Sequence, residues 1–112
     1  MPALAQSELR GLLGKIVDKL VREYQPEKII LFGSYAYGAP TEDSDIDLFI
    51  IKDTDQDRIQ RFVEVKRLIY ERGRRISVAP LVYTPREVSD RLDLGDDFVE
   101  DVLTRGEVLY AA

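Results

Sequence analysis

Apolar residues recur along the first quarter of the chain at alternating spacings of three and four: Leu9, Leu12, Leu13, Ile16, Val17, Leu20, Val21 and Tyr24. That period puts them on one face of a helix, with Ser7 as its expected N-cap and Gln25-Pro26 as its stop. The pattern then changes. Lys28-Ile29-Ile30-Leu31-Phe32 is a short apolar run that ends at Gly33. A polar turn at residues 38–44, rich in Gly, Pro, Asp and Ser, separates it from Ile46-Asp47-Leu48-Phe49-Ile50-Ile51. Both runs read as strands. The unbroken apolar stretch from Leu48 to Ile51 predicts burial on both faces and a central place in the sheet.

Further along, residues 55–72 predict a second helix with Ile59, Phe62, Val63 and Ile69 turned inward. Residues 75–83 predict a third strand. Pro85 suits the first turn of a short helix, residues 96–105 predict another helix, and Gly106 is its expected C-terminal cap. Residues 107–110 form a candidate last strand. The fold class expected is α/β or α+β, a small mixed sheet flanked by helices, with residues 1–112 as one domain.

Composition narrows the chemistry. At 45% hydrophobic and 33% charged residues, the chain has a globular rather than a disordered composition. No apolar run approaches the roughly 20 residues of a membrane span, and the first residues lack the pattern of a signal peptide; a cytoplasmic chain is expected. The chain contains no Cys and no His. That removes disulfides, thiolate sites, His-ligated zinc and imidazole bases. Any metal must be held by oxygen, which points to magnesium or manganese. A net charge of −5 argues against extended nucleic-acid binding. The basic cluster Arg72 to Arg75 is expected to be a solvated helix end and turn.

Candidate chemistry gathers where the first strand ends and the second begins. Gly33 allows a tight turn and close approach of an anion. The residues after it can open a short helix whose free amides face that anion, with the Ser34 hydroxyl as a further donor. After ten intervening residues come Asp45 and Asp47. In a strand, positions i and i+2 share a face, so both carboxylates project one way while Ile46 enters the core. Paired carboxylates repel unless a cation or donors neutralise them. A hard divalent ion suits them, since it takes one or two carboxylates and fills its other positions with water and phosphate oxygens. Such ions can stabilise both the attacking and the leaving oxygens of an in-line phosphoryl displacement.

Gly33-Ser34-x10-Asp45-x-Asp47 resembles the signature of the polymerase-β-type nucleotidyltransferase superfamily, and the chain is similar to its minimal (MNT) branch. The resemblance runs from the first helix through Val82-Tyr83-Thr84-Pro85 to Gly106-Glu107-Val108-Leu109-Tyr110. It implies that Gly33 and Ser34 bind the phosphates of an NTP, with ATP expected, and that Asp45 and Asp47 are the catalytic residues and hold Mg2+ or Mn2+. The implied reaction transfers a nucleoside monophosphate to a hydroxyl and releases pyrophosphate. It also implies an antitoxin role with a HEPN-type helical toxin as partner and acceptor. Tyr70, the Arg72–Arg75 cluster and the acidic residues 93–97 are candidate contacts for such a partner, and a homo-oligomer stays open.

The chain departs from the family at two positions. The third carboxylate of the family, which helps bind the metal and acts as base, falls on Ala79. Alternation puts Ser77 and Leu81 on the same face; neither replaces a carboxylate, though Ser77 can hold a metal-bound water. Loss of a general base costs roughly 10²- to 10⁴-fold. Tyr37 also stands where many relatives carry an arginine. Two readings therefore remain: a nucleotidyltransferase working with Asp45 and Asp47, or a catalytically impaired nucleotide- or partner-binding module.

Overall fold

The computed structural model describes residues 2–112. Helix α1 spans Gln6–Glu23, followed by β1 (Lys28–Phe32), α2 (Ser34–Tyr37), β2 (Ile46–Ile51), α3 (Arg58–Ile69), β3 (Val78–Tyr83), α4 (Pro85–Asp93), α5 (Asp97–Arg105) and β4 (Glu107–Ala111). The strands form one sheet in the order β3-β2-β1-β4. β1 is antiparallel to both β2 and β4, and β2 is parallel to β3. The mixed α+β sheet expected from the sequence is the one observed.

Alternation along the strands supplies two cores. Ile29, Leu31, Ile46, Leu48, Ile50, Val78 and Val82 face α1 and α3, against Leu9, Leu13, Ile16, Leu20, Val65 and Ile69. Ile30, Phe49 and Tyr83 face the other way, against Val88 of α4 and Val99 and Val102 of α5. Leu48, Phe49 and Ile50 are fully buried, as their unbroken apolar run requires, and β2 lies inside the sheet.

Several local expectations are corrected. α1 is capped at Ala5 rather than Ser7: Glu8 reaches back to accept from the Ala5 amide at 3.0 Å, the carboxylate half of a capping box, and among the described residues no hydroxyl accepts from the first-turn amides. α3 is shorter than residues 55–72, since the Asp57 carboxylate caps it by accepting from the Gln60 amide. Its inner face also differs from the expected one. Arg61, Val65 and Ile69 are buried, whereas Ile59, Phe62 and Val63 are exposed. β3 begins at Val78 rather than at residue 75. Gly106 is not a left-handed cap, because its backbone is extended (φ −66°, ψ 158°). Its role is steric: a Cβ there would lie 2.4 Å from the Val102 carbonyl oxygen and 2.5 Å from Ile30 Cγ2. In the basic cluster, Arg74 turns in to donate to the Ile69 carbonyl at 2.6 Å and closes the end of α3, and Arg75 pairs with Glu8 at 3.6 Å.

The buried arginine explains the rotation of α3. Ile46 and Lys52 donate to the Ser77 and Tyr83 carbonyls, so the odd-numbered residues of β3 bond to β2 and the even-numbered ones present their backbone to the outer edge. There Lys66 donates to the Val78 carbonyl at 2.9 Å and Arg61 to the Val82 carbonyl at 3.3 Å. Pro80, between them, has no N–H to leave unpaired. α3 thus closes the edge of the sheet with cations. Arg61 also donates to the Gln56 carbonyl and, at 2.7 Å, to Glu87 of α4. Burial alone would raise the Glu87 carboxyl, but the Thr84 amide and the Arg61 guanidinium outweigh it and hold its pKa below the ordinary value.

Two outcomes test this packing. Because the Glu87 pKa is lowered in the fold, its stabilisation is present at neutral pH and fades as pH falls through that lowered value. Glu87→Gln is expected to cost about 1–3 kcal/mol in urea unfolding at neutral pH, and its deficit against the parent chain should shrink in acid. Gly106→Ala is expected to cost about 1–3 kcal/mol by overpacking, at every pH; an unchanged unfolding midpoint would remove the steric account of that glycine.

Candidate functional site

The strand β1 ends at Phe32, whose partner across the antiparallel pair is Asp47. The chain must turn there without touching that carboxylate. Gly33 does so at φ 76°, a left-handed conformation that side chains disfavour. A Cβ on Gly33 would stand 2.1 Å from Asp47 Oδ2. The Gly-Ser turn and the second aspartate are therefore in direct contact. α2 then runs from Ser34 to Tyr37, and Gly38 ends it at φ 84°.

Asp45 and Asp47 flank Ile46, which is fully buried, so the two carboxylates leave the sheet on the opposite face. Asp47 is half-buried and Asp45 exposed. Burial, and after it the charge of Asp45, pushes the Asp47 carboxyl above its ordinary pKa. Both effects disfavour the charged form of the carboxyl. Asp45 has one donor: the Ser77 hydroxyl bonds directly to its carboxylate. Ser77, on the face where the sequence allows it to hold a metal-bound water, meets Asp45 itself. The Ser34 hydroxyl donates to the Ser44 hydroxyl at 2.9 Å, which ties the start of α2 to the loop before Asp45.

In the parallel pairing of β2 and β3, Asp47 stands opposite Ala79. The position read from the sequence as that of the missing carboxylate is thus the neighbour of Asp47 on the same face. Among the described residues, no three carboxylates, histidines or cysteines are grouped to hold a metal ion. What is available is a pair of carboxylates with one hydroxyl. A pocket of about 190 Å³ lies beside Asp45, lined by Tyr35, Asp43, Ser44, Arg75 and Ser77 among others. It is smaller than the roughly 300 Å³ of a typical ligand pocket; Asp45 is in its wall and Asp47 is not.

Residues 13–105 match the nucleotidyltransferase domain family. The chain belongs to that family. It is 31% identical over 107 residues to a Methanocaldococcus jannaschii protein named putative protein adenylyltransferase MJ1305, covering 91% of this chain and 71% of the other. It is 36% identical over 98 residues to MJ0604 of the same organism, which carries the same description, covering 86% of this chain and 92% of the other. In fold it is similar to a crystal structure of a putative nucleotidyltransferase from Sulfolobus solfataricus, with a TM-score of 0.63 and 22% identity over 90% of this chain and 78% of that one. It is also similar to a chain of a mutant MntA–HpeT toxin–antitoxin structure, with a TM-score of 0.57 and 21% identity over 89% of this chain and 73% of that one. The motif resemblance is borne out at the level of the nucleotidyltransferase domain.

The sequence pattern placed Gly33, Ser34, Asp45 and Asp47 together, and the structure does so too. It gave no sign of what α5 brings. Phe98, 42% exposed, packs edge-on to Phe32 at 5.5 Å, beside the aspartate strand. Asp101 and Arg105, one helical turn apart, pair at 3.3 Å and surround Tyr37. The i,i+4 acid–base spacing was legible, but it is the spacing of many surface helices and does not by itself point to a site.

Gly33→Ala is expected to displace the Asp47 carboxylate while the rest of the chain folds. The check is nucleotide binding together with far-UV circular dichroism. Retained binding in a folded Gly33→Ala protein would separate the turn from the site.

Proposed function

We propose that this nucleotidyltransferase transfers AMP from ATP to a hydroxyl of a protein supplied in trans, in an antitoxin role toward a HEPN-type helical toxin. The observation that carries the reading is the contact of Gly33 with Asp47, which joins a phosphate-compatible turn to a pair of carboxylates at one face. The relatives named as protein adenylyltransferases support a protein acceptor, and the toxin–antitoxin structure of similar fold supports a partner in trans.

The residues fit a hard divalent ion. Asp45 and Asp47 would hold Mg2+ or Mn2+, since such an ion takes one or two carboxylates, leaves its remaining positions to water and phosphate, and would offset the burial and the Asp45 charge that together raise Asp47. Bound there, the metal would neutralise charge on the transferring phosphate and the leaving oxygen. Gly33, with no Cβ, lets the phosphates approach the backbone, and Ser34 supplies a hydroxyl beside them. Ser77 orients Asp45 by its hydrogen bond. In the reaction the acceptor oxygen bonds to the α-phosphorus, the bond from that phosphorus to the bridging oxygen breaks, and pyrophosphate leaves. No base stands at Ala79, so the hydroxyl proton passes to water and the chemical step is slow.

Ala79 beside Asp47 also supports a second reading, a catalytically impaired module that binds nucleotide or partner. Incubation with radiolabelled ATP or other NTPs, with magnesium or manganese, and with or without the product of the adjacent gene, separates the two. The transferase reading expects label on the acceptor, its loss in Asp45→Asn, and a rise of roughly 10²-fold or more in Ala79→Asp. No transfer by the parent chain in any condition, with transfer gained only by Ala79→Asp, would establish the impaired module instead.

A further inference from the structure

The face that carries Asp45 and Asp47 is acidic, yet the proposed reaction requires it to receive a polyphosphate. Ser34 and the backbone of a single short turn supply dipoles but no positive charge. A cation reaches toward the Gly-Ser turn from α5. The Arg105 guanidinium lies over the Tyr37 ring, 4.2 Å from its centroid. Tyr37 stands one turn after Gly33, its amide donating to the Gly33 carbonyl at 3.1 Å. Helical side chains lean toward the start of their helix, so the phenol comes back alongside Gly33. There it meets Asp101 at 3.5 Å; burial and Asp101 raise its pKa, while Arg105 and the Gly33 amide pull it down. Contacts thus lead from Arg105 to the Tyr37 ring, from the Tyr37 amide to the Gly33 carbonyl, and from Gly33 on to the Asp47 carboxylate.

Arg105 is also built to be held rather than merely exposed. Tyr37 carries it by a cation–π contact, and Asp101 bonds its Nη1 at 3.3 Å from the preceding turn of the helix. The next residue, Gly106, is packed without clearance against Ile30 and the Leu31 carbonyl of β1, so the end of α5 is fixed to the strand that leads into the turn. The side chain remains 59% exposed, which leaves donors of the planar guanidinium free for a phosphate.

We propose that Arg105, braced by Tyr37 and Asp101, is the cation that binds the polyphosphate of the nucleotide at the Gly33-Ser34 turn. The inference rests on the nucleotidyltransferase reading and adds to it a binding residue from the opposite end of the chain. It also gives Tyr37 a function: the ring is the platform on which the guanidinium lies.

Equilibrium titration of the whole chain with magnesium-ATP and with adenosine tests it. Removing a charge-assisted hydrogen bond to the phosphates weakens affinity by about tenfold or more. Arg105→Ala should therefore weaken ATP at least about tenfold and leave adenosine unchanged. Arg86→Ala, which removes an exposed cation paired with Asp90 on α4, should keep ATP binding close to that of the parent, and so shows that loss of one surface charge is not itself the cause of the loss. Equal ATP affinity in the parent and Arg105→Ala would overturn this assignment alone. No ATP binding by the parent chain would overturn the transferase reading together with it.

Discussion

The two-face burial of β2 is the constraint on which the rest of the structure depends. A strand covered by α1 and α3 on one side and by α4 and α5 on the other can carry polar groups only where its covering ends. Leu48, Phe49 and Ile50 lie fully inside. Asp45 and Asp47 sit at the entry to the strand, where Ile46 alone is needed by the core. The carboxylates are thus placed by the apolar residues that alternate with and follow them. Their mutual repulsion is tolerated because the strand cannot shift by one residue without turning its apolar positions outward.

Around this strand, stability and site share the same atoms. Gly33 is both the turn that follows β1 and the clearance for Asp47. Gly106 is both the link from α5 to β4 and the clasp that fixes α5 against β1. Arg61 is buried because it satisfies two carbonyls and a carboxylate around the outer edge of β3. In each case a local departure from pattern, a left-handed turn, a crowded glycine or a buried charge, is explained by what packs against it.

Much of this was legible in the sequence, and the exceptions have physical causes. The period of α1, the continuous apolar run of β2 and the i,i+2 spacing of the aspartates are one-dimensional signals that geometry converts directly into faces. The inner face of α3 was misread because Ile59, Phe62 and Val63 outrank Arg61 in hydrophobicity, and only the carbonyls of β3 make the arginine the better inward residue. Gly106 looked like a helix cap because glycine after a helix usually is one; its real reason, Ile30, is distant in sequence. The family resemblance put the missing carboxylate at Ala79, and the parallel register of β2 and β3, which no local pattern states, sets that residue opposite Asp47. The approach of α5 to the Gly-Ser turn depends on the path of the last third of the chain over the sheet, and no local pattern encodes that.

The closed edge of β3 has a consequence for how other proteins can meet this one. With Pro80 in the middle and Lys66 and Arg61 occupying the carbonyls on either side, no incoming strand can zip onto that border. Sheet extension is confined to β4, the border farther from the carboxylates. A visitor to the β3 side of the acidic face must be recognised by the shapes of side chains, as a helix or a loop is, and backbone pairing can neither hold it there nor fuse copies of the chain along that edge.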